Sequence, residues 1–159
     1  MRGGRSEGLD PDADRSGVRV CLAVSRFNSL VTGRLEKGAR RALVEAGVPD
    51  EQVDSVTVSG AWELPYAVRR VQGQYDAVVA LGCVVRGETP HFDYICDAAS
   101  RGLMDCQSEG ETPVGFGLLT TETLQQGLQR AGGKHGNKGA EAAEAALELV
   151  DMFPSAADE

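Results

Sequence analysis

This sequence lacks the features that would send it to a membrane or through a secretion pathway. No apolar run approaches the ~18 residues of a membrane-spanning helix, so a soluble protein is expected. Residues Met1 to Ser16 mix Gly, Arg, Asp and Pro without an apolar segment. They do not read as a secretory signal, and the expectation is a loose tail over 1–16 on a cytoplasmic protein. The four cysteines, Cys21, Cys83, Cys96 and Cys106, show no Cys-x-x-Cys spacing, and two fall in apolar segments, so buried free thiols are expected. There are only two histidines. His135 has no second imidazole or thiolate at ligand spacing, so no metal is assigned. Positive charge is also in short supply: the net charge is −8, which argues against a nucleic-acid partner. Within that acidic chain Arg86, Arg130, Lys134 and Lys138 stand near the Gly-rich segments and make a local positive site for a small anion.

What is present is an alternation of strand and helix signals. Val18 to Val24 is an apolar strand. Leu35, Ala39, Ala42 and Ala46 recur at helical spacing until Gly47 and Pro49 close the helix. Val53 to Val58 is a second strand, Leu64 to Val71 a short helix opened by Pro65, and Tyr75 to Val85 a third strand buried on both faces. The helix after Pro90 carries Ile95, Ala99, Leu103 and Cys106 on one face. Pro113 to Leu119 is a fourth strand, and Thr120 to Thr123 offers hydroxyl caps to a helix ending at Ala131-Gly132-Gly133. From Gly139 to Phe153 the apolar arc is wider than one sheet face needs, which points to a second surface buried against another subunit. Strands separated by helices imply parallel pairing with right-handed crossovers. The expected fold is a doubly wound, three-layer α/β domain with a four-stranded sheet, covering 17–159 without a second domain.

The third strand leads to the most informative junction, Gly82-Cys-Val-Val-Arg-Gly-Glu-Thr-Pro-His-Phe-Asp-Tyr94. Arg86, Gly87, Glu88, Thr89 and His91 sit at the carboxyl end of a sheet strand, the usual ligand crevice of open α/β sheets, where the N–H groups of a helix start attract anions. His91 could simply cap a helix, but the flexible backbone, carboxylate and hydroxyl beside it are unusual for a mere connection, and imidazole both gives and takes protons near neutral pH. Gly60-Ala-Trp-Glu-Leu-Pro65 holds the one tryptophan. Trp62 could be core and Glu63 a solvated charge favoured at a helix start. Phe27 and Phe116, at two strand ends, could be core or offer a face to a flat ring. The Gly132 to Gly139 segment fails the Walker spacing, because Asn137 stands where the second glycine is needed, and reads as a Gly-rich inter-helix loop with exposed lysines. Gly115-Phe116-Gly117 lies within a strand and is no dinucleotide fingerprint.

Together these motifs resemble the lumazine synthase family, from about Val18 to Phe153. The resemblance runs through Ser-Arg-Phe-Asn, Gly-Ala-Trp-Glu-Leu-Pro, the Gly82–Tyr94 segment, Leu-Leu-Thr-Thr-Glu-Thr and Arg-Ala-Gly-Gly-Lys-His-Gly-Asn-Lys-Gly. It implies a flavodoxin-like α/β/α fold and the joining of a ribitylaminouracil to dihydroxybutanone phosphate, the penultimate step of riboflavin biosynthesis, with no metal or organic cofactor. It also implies roles for particular residues. Phe27 stacks on the pyrimidine, Ala61, Trp62 and Glu63 line the ribityl side, and Cys83, Val84 and Val85 present backbone groups to the uracil edge. Glu88 and Thr89 surround the phosphate, Arg130 is its main charged ligand, and His91 moves protons. Phe116 and Lys138, with Arg130, arrive from a neighbouring subunit. Members assemble as pentamers, and the short Gly132–Gly139 loop resembles those that build an icosahedral 60-mer. Riboflavin synthase is a candidate partner. Two rival readings are an archaeal-type riboflavin synthase, which lacks the intact Arg-Gly-Glu-Thr-Pro-His and Gly-Asn-Lys-Gly pair, and a noncatalytic flavin-binding or cage protein, which loss of His91 or Arg130 would have signalled.

Overall fold

The computed structural model describes residues 8–154. Strand and helix alternate as the periodicity predicts: β1 (Val20–Ser25), α1 (Ser29–Glu45), β2 (Val53–Val58), α2 (Leu64–Val71), β3 (Ala77–Val85), α3 (His91–Glu109), β4 (Val114–Thr121) and α4 (Leu124–Gln129). A small hairpin, β5 (Ala131–Gly133) and β6 (Gly136–Asn137), then precedes α5 (Lys138–Met152). The four main strands form one parallel sheet in the order β2-β1-β3-β4. From β1 the chain steps outward to β2, returns to β3 and steps outward again to β4, so the direction of winding changes between β1 and β3. This is the flavodoxin-like order of a doubly wound sheet.

The inner strands owe their place to being apolar on both faces. Every residue of β1 and the first seven of β3 are buried. Val20, Leu22 and Val24 join Val79, Leu81 and Cys83 in a core shared with α1 and α5, while Cys21 and Ala23 join Val78 and Ala80 in a core shared with α2 and α3. That is the period-two division of a strand covered by helices above and below. β2 has only Val53 fully buried and exposes Asp54, Ser55 and Thr57, as suits an edge that must not recruit further strands.

Three expectations need correction or addition. The broad apolar arc of α5 is used largely inside the chain, because the helix packs against both the sheet and its neighbour α1. Ala142, Ala143, Ala146 and Leu147 all lie in the core, while Phe153 is 70% exposed. The Gly132–Gly139 segment is not a plain loop. Gly132 (φ 102°) and Gly136 (φ 78°) take left-handed values that let it fold into an antiparallel hairpin. Asn137 accepts from the Ala140 N–H at 3.0 Å, capping α5, and donates to the Arg34 carbonyl of α1 at 3.1 Å. Of the expected tail, residues 1–7 lie outside the described residues, as do 155–159. Arg15, in contrast to a loose segment, is buried. It donates to the Asp151 carboxylate at 2.7 Å, to the Ala46 carbonyl at 2.8 Å and to the Asp10 carbonyl at 2.9 Å. One guanidinium thus serves the carboxyl ends of both α1 and α5, where helix carbonyls lack partners.

Close helix approach depends on glycine. A Cβ on Gly115 of β4 would sit 2.5 Å from the Ala142 carbonyl oxygen of α5, whereas a Cβ on Gly33 of α1 would meet nothing within 4 Å. Gly115→Ala is expected to destabilise the protein by about 1–3 kcal/mol through overpacking, and Gly33→Ala to stabilise it by up to ~1 kcal/mol through helix propensity. Thermal unfolding of the two variants beside the parent checks both signs.

Candidate active site

The site begins where β1 and β3 part. Their pairing ends at Val24 with Leu81, while β3 runs on to Val85 beside β4. The Val78 N–H donates to Pro113 O and the Arg86 N–H to Thr121 O, so even-numbered residues of β3 face β4 and odd-numbered ones face β1. The Cys83 carbonyl therefore points into a gap that β1 has already left. Asn28 fills that gap, its side-chain amide donating to the Cys83 carbonyl at 2.9 Å. It does so from a left-handed conformation (φ 64°, ψ 48°) that asparagine tolerates better than most residues. The loop is tied on its other side to β2, through Arg26 N–H to Val58 O at 2.8 Å and Phe27 N–H to Ser59 O at 3.0 Å.

Most of the expected site residues lie just beyond the carboxyl ends of β1, β2 and β3. Phe27 is 68% and Trp62 59% exposed, so neither is a core residue. Ala61 and Cys83 are buried, and what they offer the crevice is backbone. Glu63 closes the short turn Ala61–Glu63 ahead of α2, and its Oε1 accepts from the Ser59 hydroxyl at 3.1 Å. Val84 and Val85 are half-buried. Glu88 and Thr89 lie exposed in the turn before α3, and Pro90 sits at its N-cap, one position ahead of the helix. His91 is the first helical residue and is exposed, with its backbone N–H 3.4 Å from Thr89 Oγ1. The arrangement combines open ring faces, backbone groups, a carboxylate and an imidazole at the positive end of a 19-residue helix. Such a set can bind a flat polar ring and exchange protons with it.

Arg130 and Lys138 do not join this group. They line an open groove of about 500 Å³ against β4, α4 and the hairpin, with Leu118, Thr121, Glu122 and His135. Arg130 donates from Nη1 to the Gln126 carbonyl at 3.0 Å, and its own carbonyl accepts the Lys138 N–H at 2.8 Å. The Lys138 ammonium lies 3.8 Å from Glu141. Phe116, on the β4 edge, is 45% exposed. Of the four cations expected to make a positive site, Arg86 is committed to Asp93 and Glu122 and Lys134 is not in the groove. The thiols do not compete for the chemistry: burial pushes Cys21 up to about 11 and raises Cys83 and Cys106 as well, so they stay protonated near neutral pH.

The sequence reading passed over Asn28 and the groove residues Gln126 and Glu122. Asn28 carries a helix-cap signal, but nothing local says that its amide bonds to a strand 55 residues away. Gln126 completes a capping box with Thr123, a pattern that three-residue spacing does reveal.

Comparison with known proteins gives this geometry its context. A protein of Gemmatimonas aurantiaca described as 6,7-dimethyl-8-ribityllumazine synthase is 53% identical over 142 residues, spanning 88% of this chain and 87% of that protein. The family model described as 6,7-dimethyl-8-ribityllumazine synthase matches residues 17–153, which take in both the crevice and the groove. The chain therefore belongs to the 6,7-dimethyl-8-ribityllumazine synthase family.

Proposed function

We propose that this protein condenses 5-amino-6-(D-ribitylamino)uracil with 3,4-dihydroxy-2-butanone 4-phosphate to 6,7-dimethyl-8-ribityllumazine, releasing phosphate and water. The observation that carries the reading is family membership over residues 17–153 with the Gly82–Tyr94 segment intact at the switch-point crevice. Each step is proton movement or positioning. The uracil amine attacks the ketone and loses water to give an imine, phosphate leaves by elimination, and the ribityl-bearing nitrogen closes the ring with loss of a further water. His91 takes and returns the protons. The exposed Phe27 ring stacks on the pyrimidine, and the backbone of Cys83, Val84 and Val85 reads its polar edge. Ala61, Trp62 and Glu63 line the ribityl chain, with Glu63 accepting from its hydroxyls while Ser59 holds the carboxylate. Glu88 and Thr89 bring helix-start N–H groups to the phosphate, and Arg130 supplies a planar fork of donors.

On this reading the complete site takes Arg130, Lys138 and Phe116 from a neighbouring subunit, which is supported by a groove around Arg130 and Lys138 whose lining includes neither His91 nor Phe27 nor Trp62. Exposed Phe27, Trp62, Tyr66, Tyr94 and Phe116 support such an interface. The assembly we favour is a pentamer, with the short hairpin supporting association of twelve pentamers into a 60-mer. Riboflavin synthase is its candidate partner, and the cytoplasm its location. Native mass measurement distinguishes the two assemblies.

The direct test mixes the purified protein with both substrates and follows lumazine absorbance against a no-protein control. Acceleration that saturates in both substrates is expected. An assembled oligomer that gives none would overturn the reading, and one that is inert and purifies yellow with bound flavin would mark a carrier. Arg130→Ala should raise KM for the butanone phosphate about tenfold or more, the loss of a charge-assisted contact, and leave that for the uracil nearly unchanged. Equal effects would remove the phosphate assignment. His91→Ala should lose roughly 10²–10⁴ in kcat, the scale of acid–base catalysis, down to the floor set by the uncatalysed condensation. Steady-state kinetics at saturating substrate measures it.

A further inference from the structure

The first turn of α3 is gripped by one guanidinium. Arg86 leaves β3 with its N–H donated to the Thr121 carbonyl at 2.8 Å, and its side chain then meets three groups. Nε lies 2.7 Å from Glu122 Oε2, Nη2 lies 3.2 Å from Asp93 Oδ1, and Cζ stands 4.4 Å from the centre of the Phe92 ring. Glu122 belongs to the turn between β4 and α4. Phe92 and Asp93 directly follow His91. The hydrogen bond to Asp93, and then the nearby carboxylate charges, raise the guanidinium's already high pKa.

The residues between, Gly87 to Pro90, are all exposed and have little packing of their own. Among the described residues the His91 imidazole makes no hydrogen bond, so where it can reach is set by the turn carrying it. That turn is held by Phe92, which is buried, and by Arg86, which stacks on the Phe92 ring. A single exposed ion pair would contribute little. A planar fork held on two edges and one face instead restricts orientation, and a point charge on a lysine stem cannot make the same three contacts.

We propose that Arg86 is a positioning residue whose grip on Glu122, Asp93 and Phe92 aims the His91 imidazole into the crevice, so that it governs the proton-transfer step and not substrate binding. The proposal rests on the reading of His91 as the proton carrier. Its test is a double-mutant cycle. Arg86→Lys keeps the positive charge beside Glu122 and breaks the fork. It should lower kcat on the order of tenfold, within the cost of an ångström-scale misplacement, with KM for both substrates unchanged within about twofold. In the His91→Ala background the same change should have no further effect on kcat, because coupled residues are non-additive.

A kcat for Arg86→Lys within about twofold of the parent overturns the proposal, as does an equal loss in the His91→Ala background, which would mark a structural role independent of the imidazole. Should Arg86→Lys fail to assemble, Asp93→Ala removes the carboxylate that ties Arg86 to α3, leaves the Phe92 and Glu122 contacts, and is held to the same two criteria. An unchanged rate in His91→Ala itself would remove the underlying reading. A slow His91→Ala with an indifferent Arg86→Lys would remove only the clamp.

Discussion

A sheet that winds in two directions must leave some backbone unpaired where its inner strands part, and the hydrogen bond from Asn28 to the Cys83 carbonyl answers that need. A buried carbonyl without a donor costs about 1–3 kcal/mol, and the Asn28 amide spares the part-buried Cys83 carbonyl a share of that cost where β3 outruns β1. Its consequences spread outward. It fixes the loop that carries Phe27 against the end of β3, and the bonds from Arg26 and Phe27 to Val58 and Ser59 fix the same loop against the end of β2. Three strand ends are thereby held in one place before any ligand arrives. The rigid frame beneath them is the double-sided core of β1 and β3, in which alternate residues serve opposite helix layers.

Much of this was legible in the chain. β2 and α2 fall on the expected residues, and the other main elements within a few of them, because each is an apolar run or stripe bounded by Gly, Pro or a hydroxyl cap. Thr123 is a capping residue in a box with Gln126, as its spacing allows one to read. The grouping of Glu88, Thr89 and His91 after β3 was legible for a related reason: sequence neighbours at the end of one strand stay neighbours in space. The exposure of Phe27 and Trp62 was not, since an isolated aromatic looks the same in a core and on a rim.

Other features hid because they depend on partners distant in sequence. Arg15 lies in a polar stretch that composition reads as loose, yet its guanidinium meets Asp151, 136 residues away. The wide apolar arc of α5 has more than one use, and periodicity counts apolar positions without saying how many neighbours share them; the sheet and α1 share most, and Phe153 stays exposed. Basic residues near Gly-rich segments looked like one positive site, but charge in a sequence carries no direction. Arg86 is occupied by two carboxylates, and only Arg130 and Lys138 of the four reach the groove.

The hairpin between α4 and α5 sets more than a connection. The Arg130 carbonyl accepts the Lys138 N–H, β5 and β6 pair between them, and Asn137 is fastened to both α1 and α5. The two cations are therefore mounted on the jaws of a caliper whose opening is set by backbone register. Because the Arg130–Lys138 pair closes the open end of the hairpin, a residue added at its tip between Gly133 and Gly136 would lengthen the turn and leave that gauge as it is.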